Sequence, residues 1–139
     1  MGERANILLY QKRDLTHVVN HSGKDLYNYS PVIYTHWGGY EVKNVVQEVA
    51  QYYKEDTSDT NWEPNMRVEV ERVFPKLVVA CIKNGLEPQV FNFDMRKFEH
   101  KLPKGNDIPI IADDWGTLLV DINSWSYETL DYDWSKANV

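Results

Sequence analysis

The stretch Tyr34-Thr35-His36-Trp37-Gly38-Gly39-Tyr40 holds the residue types best suited to chemistry in this 139-residue chain. A β-strand running through two glycines into a helix would leave the first helical N–H groups without intrahelical partners, at the positive end of the macrodipole. Glycines let a ligand approach that backbone closely, so an anion fits there. His36, two residues before the glycines, can donate to a phosphate or carboxylate, or act as an acid or base near neutral pH. Arg4 and Asn6 lie on one face of an N-terminal strand because strand side chains alternate. Pairing of that strand with the second would gather Arg4, Asn6, Tyr34 and His36 on one surface. The same residues also have a packing reading, in which Gly38-Gly39 is a tight connection and His36-Trp37 fills space.

Other chemistries have less to stand on. There is no Walker pattern, dinucleotide fingerprint or nucleophile elbow. His17, His21, His36 and His100 lack metal-ligand spacing, so no metal and no cofactor is expected. Cys81 falls on the apolar face of a predicted helix and reads as a small core residue. Asp113-Asp114, before Trp115-Gly116, supplies two carboxylates that suit a divalent metal, a general base or a solvated turn. Loss of Met1 would expose Gly2, which has no side chain for an N-terminal-nucleophile mechanism.

The elements that must position these residues follow from hydrophobic period. Arg4 to Tyr10 reads as a strand, Leu15 to Asn20 as a short return strand, and His21 to Ser30 as loop. Pro31 to Trp37 is β-branched and aromatic, which suits a second principal strand. Val42, Val45, Val46, Val49 and Tyr53 then fall on one face of an amphipathic helix. A second helix is predicted from about Met66 to Asn84, ended by Gly85, with Pro75 either kinking it or marking the first turn of a shorter one. Val90 to Phe93 alternates as a strand, Arg96 to Asn106 reads as loop, and Ile108 to Ile111 as a short edge strand. Leu118 to Ile122 and Tyr127 to Tyr132 predict a terminal hairpin. The sum is a single α+β domain over residues 1–139, with a largely antiparallel sheet and both helices on one face.

Composition narrows the function classes. The net charge of −6 arises from 15 Lys+Arg against 21 Asp+Glu. Residues 1–39 carry four basic and three acidic groups, and residues 112–139 carry one and six. No basic stripe exists to follow a DNA or RNA backbone. A single cysteine rules out a disulfide framework, and no apolar run reaches the length of a membrane span. No signal-peptide layout opens the chain, so a cytoplasmic protein is expected. Aromatic residues make up 13% of the chain, with five Trp and nine Tyr, enough to line both a core and a binding surface.

Met1-Gly2-Glu3-Arg4-Ala5-Asn6-Ile7, taken with Tyr34-Thr35-His36-Trp37-Gly38-Gly39, resembles a set of small proteins of bacteria and their phages. Those proteins open on a Met-Gly-x-Arg-Ala-Asn strand and carry a Tyr-Thr-His-Trp-Gly-Gly strand end. The resemblance spans roughly the first 50 residues, and this chain departs from it in a longer insert, Leu15 to Ser30. It implies that Arg4, Asn6, His36, Trp37, Gly38 and Gly39 belong to one pattern. A phage association further implies a host-directed or anti-defence role, including sequestration of a nucleotide signal.

Three functions are compatible with these residues. The first is a non-enzymatic binding protein whose ligand site, built from Arg4, Asn6, Tyr34, His36, Trp37, Gly38 and Gly39, takes an anionic, nucleotide-like molecule. The second is a hydrolase or phosphodiesterase with His36 as general acid/base and Arg4 stabilising developing negative charge, which needs a second acid/base such as Asp113 or His21. The third is an interaction or inhibitor module using Trp62, Trp125 and Trp134 as anchors. A homo-oligomer through the edge of the terminal hairpin is a further expectation. Binding rather than catalysis is the favoured reading.

Overall fold

Leu8 and Leu9 lie at the centre of the strand that organises the molecule, β1 (Ala5–Lys12). With both faces of β1 buried, its sequence ANILLYQK is apolar through its middle and does not alternate. A computed structural model describes residues 3–13, 23–56 and 68–136. After β1 come β2 (Tyr27–Tyr29), β3 (Val32–Thr35), helices α1 (Val42–Asp56) and α2 (Val70–Lys83), β4 (Pro88–Phe91), β5 (Thr117–Asp121) and β6 (Ser126–Leu130). The strands form one sheet in the order β4-β3-β1-β5-β6, with β2 pairing the far end of β1. All pairings are antiparallel except β1 with β5, which is parallel. The α+β domain expected from the sequence is the one observed.

Both helices cover one sheet face. Ala5, Ile7, Leu9, Ile33, Leu118, Val120 and Ile122 meet Val45, Val46, Val49 and Tyr53 of α1 and Val73, Leu77 and Cys81 of α2. The opposite face, Leu8, Tyr29, Val32 and Leu119, is covered by Phe93, Phe98 and Ile108 from the long β4–β5 connection. Two short 3-10 turns, Met95–Phe98 and Gly105–Asp107, stiffen that connection. Tyr29 clamps it to the sheet, its hydroxyl lying 2.9 Å from the carbonyls of both Phe98 and Lys101. Burial raises the Tyr29 pKa well above that of a free phenol.

β2 and β3 are one strand interrupted by a bulge. Tyr10 is opposite Tyr29 and Ile7 opposite Ile33, so residues 8–9 face residues 30–32 and one extra residue is inserted. Pro31 has no N–H, and the side chain of Ser30 takes part in the ladder instead. Its Oγ accepts from the Leu9 N–H at 3.1 Å, while the Ser30 N–H donates to the Leu9 carbonyl at 3.0 Å.

Several expectations are corrected here. Tyr27–Tyr29 is strand rather than loop. The expected return strand, Leu15 to Asn20, lies outside the described residues. β4 starts at Pro88, and Phe93 leaves the strand to pack in the connection. Ile108 to Ile111 is not a strand: the Ile108 N–H donates to the Gly105 carbonyl and the Ile110 carbonyl accepts from the Asn6 side chain. Pro75 lies inside α2, at its exposed face, rather than in the first turn. Gly85 does end that helix, in a Schellman arrangement at φ 82, with the Leu86 N–H on the Cys81 carbonyl and the Gly85 N–H on that of Ile82.

Candidate functional site

The start of β1, the end of β3 and the start of β5 come together at one end of the sheet. The register places Ala5 opposite Thr35 and Asn6 opposite both Tyr34 and Thr117. Asn6 and Tyr34 therefore share the face that carries the β4–β5 connection, and Arg4 and His36, one residue beyond the ends of these strands, are placed beside it by their contacts with Asp113, Asp114 and Tyr34.

Arg4 is engaged by carboxylates from the turn before β5. Its Nη2 lies 2.8 Å from Asp113 Oδ1, and its Nε lies 3.1 Å from Asp114 Oδ2, which also accepts from the Arg4 backbone N–H at 3.2 Å. The Arg4 carbonyl in turn accepts from the Trp115 N–H. The hydrogen bond to Asp114 and the charge of Asp113 raise the pKa of Arg4, and the same bonds hold the Asp114 carboxyl below its usual range. Two of the five guanidinium donors are used in these bonds.

Asn6 is fully buried. Its Nδ2 donates to the Ile110 carbonyl at 2.7 Å and to Thr117 Oγ1 at 3.1 Å, stitching the connection and β5 to β1. Its Oδ1 is buried without a partner among the described residues.

Tyr34 and His36 form the most chemically specific contact. The Tyr34 hydroxyl and His36 Nδ1 are 2.8 Å apart, Tyr34 being buried and His36 exposed. A neutral His36 accepts the phenolic proton at Nδ1, and an imidazolium donates Nδ1–H to the phenol oxygen. Nε2 carries a proton in both of these states, whereas the neutral tautomer protonated at Nδ1 would donate to the phenol oxygen and leave Nε2 an acceptor. The indole of Trp37 stands edge-on to the imidazole at 5.0 Å between ring centres and is 51% exposed.

Gly38 and Gly39 serve packing. Gly38 has φ 70, and a Cβ there would meet Leu86 Cδ2 at 2.4 Å; a Cβ on Gly39 would lie 2.4 Å from the Glu3 carbonyl oxygen and 2.7 Å from Trp115 Cδ1. The N–H of Gly39 donates to the Glu3 carbonyl at 2.6 Å, and those of Glu41 and Val42 close a 3-10 turn on Gly38 and Gly39. These amides, expected from the sequence to face an anion, are taken up by backbone carbonyls.

The chain thus brings Arg4, Asn6, Tyr34, His36 and Trp37 to one corner and commits the two glycines to its framework. Asp113 and Asp114 are the partners that sequence reasoning did not assign to Arg4, because nothing local marks a contact across 109 or 110 positions. Trp125, expected as an exposed anchor, is half-buried and stacks on Tyr53 at 5.9 Å; Trp62 and His21 lie outside the described residues. Burial pushes the Cys81 thiol up to about 11, which fits its place in the core. Among the described residues no group of three His, Cys, Asp or Glu is placed to hold a metal ion. No helix among them is long and apolar enough to cross a membrane. Comparison with protein-family models, curated proteins and solved structures gives no match to this chain.

Proposed function

We propose that this is a non-enzymatic cytoplasmic binding protein that takes an anionic, nucleotide-like ligand at the corner formed by Arg4, Tyr34, His36 and Trp37. The observation that carries the reading is the bond between the buried Tyr34 hydroxyl and Nδ1 of the exposed His36. It holds the imidazole in place and, with Nδ1 accepting the phenolic proton or with the ring protonated, makes Nε2 a directed donor for a phosphate or carboxylate, next to a half-exposed indole on which a base can stack. Arg4 adds oriented N–H donors, although the two aspartates that orient it also repel an anion. Asp113 and Asp114 are bonded to Arg4 rather than paired with His36 as a second acid/base, which favours binding over hydrolysis. The resemblance to bacterial and phage proteins supports a host-directed or anti-defence setting, with a nucleotide signal as the ligand.

Titration calorimetry of the folded protein against mono-, di- and cyclic nucleotides tests this. Binding should weaken by about tenfold or more in His36→Ala and Trp37→Ala. Heat-silent titrations up to millimolar ligand would overturn the binding site, and turnover of a bound nucleotide would overturn its non-enzymatic character.

A further inference from the structure

The outer surface of the helical layer is not the polar face that an amphipathic helix usually turns to water. Helix α2 buries Val73, Leu77 and Cys81 against the sheet, yet Val79 and Ile82 on its outer side are 62% and 60% exposed. With Pro75 they run along the helix at spacings of four and three residues, so they form one stripe. Tyr52 of α1, 48% exposed, extends the stripe across the helix pair. Single exposed apolar residues are ordinary; Tyr52, Pro75 and Val79 are informative because together they line a groove, with Ile82 outside its lining. Between the helices lies a concavity of about 420 Å³, lined by Val49, Tyr52, Pro75, Lys76, Val79 and Lys83 together with Glu48 and Ala80.

The charges around this groove indicate what would fill it. Lys76 and Lys83 are seven residues apart, about 10.5 Å along the axis, and flank Val79. The Lys76 ammonium is held at the rim, 3.1 Å from the Tyr52 hydroxyl and 4.3 Å from that ring's centre. Lys83 makes no ion pair among the described residues. The one carboxylate in the lining, Glu48, is approached by the Asn84 side-chain amide at 3.5 Å. An apolar floor between two ammonium groups is complementary to an amphipathic helix with carboxylates beside its apolar residues, the helix-in-groove mode of recognition. A second copy would bring to the groove the same excess of ammonium over carboxylate, Lys76 and Lys83 against Glu48, which disfavours it as the occupant.

We propose that the α1–α2 groove docks an acidic, amphipathic helical segment of a partner protein. This rests on a different surface from the His36 corner, and neither reading depends on the other. The test is selection of a displayed random peptide library, roughly four helical turns long, against the intact protein, followed by fluorescence-anisotropy titration of the enriched sequences. Enriched peptides should be net acidic, carry apolar residues at helical spacing, and lose about tenfold or more in affinity for Val79→Glu. Because Val79 is exposed, that variant should fold, as circular dichroism will verify. The double charge reversal Lys76→Glu/Lys83→Glu should turn the preference toward basic peptides. Enrichment of neutral or basic sequences by the unaltered protein, binding indifferent to Val79→Glu, or no enrichment by a folded sample would overturn the proposal. So would a dimer in sedimentation that Val79→Glu dissociates, which would assign the groove to a second copy.

Discussion

A methyl group on Gly39 would have to enter the space held by the Glu3 carbonyl, which accepts the Gly39 N–H, and by the Trp115 ring. Gly39→Ala should therefore destabilise the protein by about 1–3 kcal/mol, the usual range for forcing an atom into a packed site. Equilibrium denaturation checks this, and an unchanged midpoint would mean that Trp115 swings away freely. Substitution of Asp113 separates ligand repulsion from framework at the same corner. Asp113→Asn removes one negative charge beside Arg4 while leaving Asp114 to orient the guanidinium, so nucleotide affinity should rise. A fall in affinity would place Asp113 among the groups that position the ligand. The residues of this corner were largely legible in the sequence, because strand alternation and a glycine pair are local signals. Their division of labour was not, since both the carboxylates on Arg4 and the carbonyl on Gly39 come from elsewhere in the chain.

Between elements, two ties can be tested separately. Arg4 and Asp114 join the start of β1 to the turn that feeds β5. Since the Asp114 pKa is lowered by folding, the stability it contributes is fully present above the ordinary carboxylate value. It disappears as pH falls through the lowered one. The stability difference between the natural protein and Asp114→Asn should accordingly close on acidification; a gap that persists in strong acid would assign the tie to packing. Tyr29 joins β2 to the β4–β5 connection, and Tyr29→Phe should cost about 1–2 kcal/mol while loosening residues 95–101 more than the helices. Hydrogen exchange distinguishes that local effect from a global one. Helix α1 was readable from its valine spacing alone, and Gly85 from its role as a stop. The short β2 escaped notice because three residues, Tyr27-Asn28-Tyr29, follow a charged, glycine-containing stretch, and only their aromatic alternation marks them. Phe93 misled in the opposite direction, its alternation with Phe91 continuing the pattern of a strand that had already ended.

For the molecule as a whole, β1 is the central strand and β6 an exposed edge. Amides of Leu8 and Leu9 should exchange only through global unfolding, whereas those on the open side of β6 should exchange by local fraying. Equal rates in the two strands would contradict the strand order. The parallel pairing of β1 with β5 also has a bearing on how the chain is made. β1 leaves the ribosome before its parallel neighbour Thr117–Asp121, which is translated more than 100 residues later. Until then one long side of the strand that will become the centre of the sheet has nothing to bond to, and a nascent chain in that state is a substrate for chaperones or for aggregation. Polypeptides stopped before β5 should collect in the insoluble fraction, and supplying the β5–β6 hairpin as a separate peptide should return them to solution. The late β5–β6 hairpin would then act as an intramolecular quality check on the early β1.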